Sequence, residues 1–272
     1  MLLKLIRQTL KPLKRVTKDK AYRAWLRAFD ELKSNHINYP VRLKVMHLIL
    51  NIHHKDAFLN QFESIFVDEI YRFPCKVKEP VIIDCGSNMG TSVLYCKSMY
   101  PNANVYAFEP DLQIFKVLQE NIVGNRLKQV EAYNSAVWVN NEAQYFIGSQ
   151  AQSGSIIQSE SKVKVSCVRL KDFLSQFKHI HFLKLDIEGA ELAVLNDIKD
   201  ELHKIDHVFV EYHSTQNHPQ ELSNLLTIFE ANQFRYKIHG GGVKSPFMND
   251  TMEGNIDHTV DIFASRAQHN FS

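Results

Sequence analysis

The sequence predicts an α/β protein, a doubly wound and mostly parallel sheet preceded by an α-helical N-terminal extension. Three observations predict it. From Pro80 onward, short apolar runs that read as strands alternate with stretches of helical periodicity. The first run ends in an acid and a glycine-spaced turn, Asp84-Cys85-Gly86-Ser87-Asn88-Met89-Gly90, which leads into a helix. Residues 21–73 lack that alternation and carry apolar residues at helical spacing.

The chain has 272 residues, 44% of them hydrophobic and 23% charged. That balance suits a globular protein with a sizeable core and excludes a low-complexity or collagen-like chain. The net charge of +2 gives no general attraction for nucleic acid, and no nucleic-acid partner is expected. No run of about 18 apolar residues is present, so no spanning helix is read. Lys4, Arg7 and Lys11 break up the apolar residues at the start before a signal-peptide core can form. Cys75, Cys85, Cys96 and Cys167 make no C-x-x-C pair and are read as reduced thiols, which favours a cytoplasmic protein.

Residues 1–78 are expected to form a helical region with a basic amphipathic start. Nine Lys and Arg residues stand against Asp19 alone in 1–27, with Leu2, Leu5, Ile6, Leu10, Leu13 and Val16 at near-helical spacing. Such a segment can lie on an anionic membrane surface, or it can be a solvated helix packed on the body of the protein; Pro12 weakens both readings. Val41, Val45, Leu48, Ile49 and Ile52 mark one helical face, and Phe58, Phe62, Ile65, Phe66 and Ile70 a second. The adjacent His53 and His54 diverge on a helix and make no metal site.

The second unit is expected over 79–268. Strands are read at Val81–Asp84, Val105–Glu109, Gln129–Val137, His181–Asp186, Val208–Tyr212, Phe234–Ile238 and Val260–Ser265. Helices are read at Thr91–Met99, Asp111–Val123, Glu188 to Leu202 and Pro219 to Asn232. Gln144–Ile147 and Lys162–Val168 read as two further strands joined by a Ser/Gln-rich stretch. Residues 239–258 hold four of the ten glycines without a period, and are read as a lid over a binding site.

The turn carries the chemistry. Gly86 and Gly90 let the backbone turn sharply and approach a ligand. Asp84 stands at the carboxyl edge of the sheet, where it would repel a pyrophosphate and accept hydrogen bonds from an ammonium. Glu109 follows the glycines by about 20 residues, the place of an acid that grips ribose hydroxyls in NAD and S-adenosylmethionine sites. The pattern is D-x-G-x-N-x-G and not G-x-G-x-x-G, which disfavours an NAD-dependent oxidoreductase.

The segments VIIDCGSNMGTS, VYAFEPDLQIFKVLQENI, AYNSAVW, FLKLDIEGAELAVL and VFVEYH closely resemble the FkbM-type S-adenosylmethionine-dependent methyltransferases, in the right order from about Val81 to Arg266. The resemblance implies a seven-stranded class I methyltransferase sheet whose last strand is an antiparallel partner. It implies S-adenosyl-L-methionine as cofactor, with Asp84, Gly86, Asn88 and Gly90 forming the methionine-and-ribose loop and Glu109 and Pro110 the acidic ribose motif. Ser135 and Ala136 would lie beside the adenine, and Asp186 near the reacting methyl. Gly189 would permit close packing between Glu188 and Glu191. The acceptor would be a small molecule or glycan carrying a hydroxyl.

A hydroxyl nucleophile needs a base. Asp186, Glu188, Glu191, Glu211 and His213 are candidates at the carboxyl edge, and His213 has the ordinary pKa best suited to the task; it is equally read as a surface histidine. Asp186, Glu188 and His213 could also hold a divalent ion, but their spacing is not diagnostic and no metal is expected. A non-catalytic member of the family, binding a partner through the N-terminal helices, is the remaining alternative.

Overall fold

The computed structural model describes residues 19–33, 39–147, 162–215, 218–240 and 256–266. The basic segment 1–18 and most of the glycine-rich 239–258 lie outside these residues.

The N-terminal region is only partly helical. Helix α1 (Lys20–Leu32) starts at Asp19, whose side chain accepts from the Tyr22 N–H, a standard N-cap. It packs through Trp25, Ala28 and Leu32, and the Trp25 indole donates to Leu59 O at 2.9 Å. Helix α2 (Lys55–Phe62) runs on into a single wide turn, Glu63–Val67. Between them, where one helical face was expected, the chain forms an antiparallel hairpin of β1 (Val41–Val45) and β2 (Leu48–Ile52). The burial alternates, with Leu43, Val45, Leu48, Leu50 and Ile52 inward. The same apolar residues satisfy a period of two, and β-branched residues favour the extended form. The hairpin is docked by side chains: Asn121 and Asn125 bond the backbone N–H and C=O of Asn51 and Ile49.

The remainder follows the expected alternation. It runs β3 (Val81–Cys85), α3 (Thr91–Met99), β4 (Asn104–Phe108), α4 (Leu112–Gly124), β5 (Val130–Tyr133), β6 (Ala136–Trp138), β7 (Gln144–Ile147), β8 (Lys162–Val165) and β9 (Cys167–Arg169). Then come α5 (Leu170–Leu174), β10 (Ile180–Leu185), α6 (Glu191–Asp197), β11 (Ile205–Thr215), α7 (Leu222–Ala231), β12 (Phe234–Gly240) and β13 (Ile256–Arg266). Seven strands form one sheet in the order β12-β13-β11-β10-β3-β4-β5. All pairings are parallel except those of β13, which lies antiparallel between β11 and β12.

The expected third strand is split at Asn134 and Ser135: β5 stays in the sheet and β6 leaves it to pair with β9. The expected helix after the fourth strand is broken into α6 and a tight turn over Lys199–Lys204. Helix α5 is short and was not foreseen.

The two faces of the sheet are buried differently. One face, with Ile82, Phe182 and Phe209, is covered by the N-terminal region and by α3 and α4; Phe73 stacks on Phe182 at 5.3 Å between ring centroids. The other, with Ile83, Leu183, Leu185 and Val210, is covered by α5, α6 and α7. Burial of each large side chain contributes about 1.5–3 kcal/mol, so both faces are closed and the chemistry is left to the carboxyl edge of the strands. All four cysteines are free. Among the described residues, no helix is long and apolar enough to cross a membrane.

Candidate functional site

The glycine turn crosses from β3 to α3 with Gly86 at φ +84°, Asn88 at +48° and Gly90 at +88°. Only glycine fits at the first position: a Cβ on Gly86 would stand 1.8 Å from the Asp186 carbonyl oxygen. The turn is held against β4, since the Gly86 and Ser87 N–H groups both donate to Phe108 O. Helix α3 then begins at Gly90 without a side-chain cap. A helix start of this kind attracts a carboxylate.

Glu109 closes the other side. One carboxylate oxygen accepts from the Asn88 N–H and the other from the Asp111 N–H, each at 2.9 Å. Each oxygen retains a lone pair. Burial pushes the carboxyl up to about 7, against the two N–H groups that favour its ionised form. Pro110 is fixed next to it, because the Asn134 amide donates to the carbonyls of Glu109 and Pro110. Ser135 and Ala136 follow, but both face Ser166: the two hydroxyls lie 2.9 Å apart and the Ala136 N–H donates to Ser166 O.

Asp84 is turned inward. Ser92 Oγ donates to its Oδ2 at 2.5 Å, and Lys184 Nζ stands 3.4 Å from its Oδ1. Its charge is met from within the protein, so it is not the free acceptor that the sequence suggested. Lys184 is the residue that sequence reasoning passed over. It is buried, donates to Gly86 O at 2.8 Å, and lies 3.0 Å from Asp186 Oδ2. Burial works against its charge, but Asp186 and Asp84 outweigh that and hold the ammonium well above its ordinary pKa. A lysine in the middle of an otherwise apolar strand was the available signal. Asp186, 24% exposed, is the more open of the two acids that Lys184 meets.

The loop after β10 is wound around Glu191. That side chain is only 1% exposed and accepts from the Ile187 and Gly189 N–H groups. Glu188 and Gly189 are both left-handed, at φ +57° and +99°. Gly189 does not serve close packing as expected, because a Cβ there would meet nothing within 4 Å. What it supplies is the backbone conformation. Glu188 points outward, 48% exposed. Partial desolvation and the neighbouring Asp186, Glu211 and Glu191 carboxylates push it up to about 7, against the pull of His213.

His213 is no surface histidine: its side chain is 7% exposed. Nδ1 lies 3.1 Å from Glu191 Oε1, and Nε2 lies 3.5 Å from Glu211 and 3.8 Å from Glu188. Burial disfavours its charge, but hydrogen bonding to Glu191 and Glu211 wins and raises the imidazole to about 11. The expectation of a neutral base rested on the ordinary histidine pKa. Carboxylates from three segments overturn it and make His213 a cation near neutral pH. Asp261 of β13 lies opposite Glu211 and is raised to about 6 by burial and by Glu211.

The turn, Glu109, Asp186, Glu188 and His213 thus come to one edge of the sheet, while Ser135 and Ala136 are bonded to Ser166.

Known proteins resemble the chain over this same region. A protein of Beauveria bassiana called Methyltransferase 1 is 27% identical over 203 residues, 65% of this chain and 80% of its own length. The hexuronic acid methyltransferase AglP of Haloferax volcanii is 26% identical, over 55% of this chain and 62% of its own. The 2-O-methyltransferase NoeI of Sinorhizobium fredii is 25% identical, over 56% of this chain and 73% of its own. The family described as Methyltransferase FkbM domain matches residues 84–236, more than half of the sequence, a range that holds the glycine turn, Glu109, Asp186, Glu188, Glu191, Glu211 and His213. The chain belongs to the FkbM methyltransferase family.

Proposed function

We propose that this protein transfers the methyl group of S-adenosylmethionine to a hydroxyl of a small-molecule or glycan acceptor. The observation that carries the reading is Glu109: its two oxygens are aimed by the Asn88 and Asp111 N–H groups and each keeps a lone pair, which suits the two hydroxyls of a ribose. The uncapped start of α3 suits the carboxylate of the amino-acid moiety, and Asp186 suits its ammonium. The residues present therefore fit this cofactor. When bound, it supplies an already activated methyl group.

The protein's own work is alignment and removal of one proton. Alignment of a nucleophile can supply roughly 7–11 kcal/mol in the best cases. Lys184 ties the turn to Asp186, so the two halves of the cofactor site keep one spacing. Glu188 is the base: it is half exposed at the carboxyl edge of the sheet, and a carboxyl raised to about 7 is half ionised near neutral pH. The acceptor's proton goes to a Glu188 carboxylate oxygen as its oxygen attacks. His213 stands beside it and holds the loop geometry through Glu191. The relatives named for hexuronic acid and for 2-O-methylation support a sugar hydroxyl as acceptor.

Calorimetry with S-adenosylhomocysteine, and with NAD in a parallel cell, tests the cofactor. Micromolar binding of the first and none of the second is expected; binding of NAD alone would end the reading. Methyl transfer to a panel of sugar acceptors tests the base. Glu188→Gln is expected to lower kcat by about 10²-fold or more with S-adenosylhomocysteine affinity unchanged.

A further inference from the structure

We infer that Asp186, Glu211 and His213 form a divalent-cation site at the carboxyl edge of the sheet. One donor atom from each lies within 4.8 Å of the other two. In an octahedral ion with bonds near 2.1 Å, neighbouring ligands stand roughly 3 Å apart. His213 Nε2 and Glu211 Oε1 are already at 3.5 Å, so the set closes on an ion with small side-chain movements.

Two independent features point to a ligand there. The first is the orientation of His213. Its Nδ1 faces Glu191 Oε1 at 3.1 Å, and Glu191 is itself buried and fixed by the Ile187 and Gly189 N–H groups. A carboxylate on one ring nitrogen is the usual companion of a metal on the other, because it sets the tautomer and the ring plane. The Nε2 that this leaves faces Glu211 Oε1 at 3.5 Å and Glu188 Oε2 at 3.8 Å, so two carboxylates converge on that one ring atom. A bound ion would take the place of the proton on that nitrogen. The second feature is charge. Asp186, Glu188, Glu191, Glu211 and Asp261 gather here against Lys184 and His213, with His239 at 3.9 Å from Asp261. Lys184 occupies Oδ2 of Asp186, leaving its Oδ1 for a ligand.

Two carboxylates and one imidazole suit Mn²⁺ or Mg²⁺ better than a thiophilic ion. The ion's role rests on the methyltransferase reading: it would take the acceptor's hydroxyl oxygen as a further ligand and ease loss of its proton to Glu188. Its binding does not depend on that reading.

A second group, His179, His181 and Asp206, lies at the opposite edge of the sheet. There the His181 Nδ1 accepts from the Val81 N–H at 3.0 Å, which leaves the ring proton on Nε2 and no lone pair to offer.

The test is a titration of the full chain with Mn²⁺, followed by electron paramagnetic resonance of the free ion. One saturable site per chain is expected. Glu211→Gln and Asp186→Asn should each weaken it at least about tenfold, and Glu191→Gln, which keeps all three ligands, by about 10–100-fold. Glu211→Gln is nearly isosteric and decides the matter if Glu191→Gln fails to fold. His179→Gln should change nothing. Three outcomes overturn the inference: no saturation below about 1 mM, unchanged affinity in folded Glu211→Gln, or loss of the site in His179→Gln. Calorimetry with S-adenosylhomocysteine on the same samples separates the two readings. Cofactor binding without Mn²⁺ binding removes only the ion; Mn²⁺ binding without cofactor binding removes only the methyltransferase mechanism.

Discussion

Gly86 and Asp186 are in backbone contact: any Cβ on Gly86 would fall 1.8 Å from the Asp186 carbonyl oxygen. The glycine turn and the end of the fourth parallel strand in the sequence are thus one unit. Gly86 also sits at φ +84°, where a side chain is strained by about 1–3 kcal/mol before any clash. Gly86→Ala should therefore destabilise the protein by at least about 2 kcal/mol and abolish S-adenosylhomocysteine binding. Urea unfolding and calorimetry check both; wild-type behaviour in either would mean that the turn is not locked to β10.

Lys184 should be the most costly single charge to remove. It lies between Asp84 and Asp186, buried, and also holds Gly86 O. Lys184→Met leaves two carboxylates without their cation, a loss of about 3–5 kcal/mol. A change below about 1 kcal/mol in the same unfolding assay would show that the carboxylates find other partners.

Glu109 gives a pH signature. Its carboxyl titrates near 4.5 when unfolded and about 7 in the fold. Between these values the folded state holds a proton that the unfolded state has lost. The contribution of Glu109 to stability is therefore full below 4.5 and is lost as pH rises toward 7. Binding runs the other way, because the ionised carboxylate is the better acceptor for ribose hydroxyls. S-adenosylhomocysteine affinity should rise up to about tenfold from pH 6 to pH 8. In Glu109→Gln this rise should vanish and affinity should fall; a persisting pH rise would assign it to another group.

Asn121 joins the hairpin to the turn. Its side chain accepts from the Asn51 N–H and donates to Asn51 O and Met89 O. Asn121→Ala leaves these groups unpaired and should cost about 1–3 kcal/mol. Faster hydrogen exchange at Asn51 should accompany it. If exchange there is unaltered, the hairpin is held by its apolar face alone.

The sequence by itself determined the parallel sheet, the glycine turn and the acids at its edge. These depend on local pattern: apolar runs for buried strands, glycines where φ must be positive, and acids at strand ends. Tertiary structure decided the rest. Val41 to Ile52 satisfies periods of both two and 3.6, and the turn at Met46 and His47 carries no glycine to mark it; Asn121, some 70 residues away, receives it as a hairpin. Lys184 had no role in the sequence alone and gains one only where Asp84 and Asp186 close on it from two sides. His213 offered an ordinary imidazole until Glu191, Glu211 and Glu188 surrounded it and raised it to about 11. A residue's type and spacing are local properties, whereas its charge state depends on the carboxylates that the fold brings within about 4 Å of it.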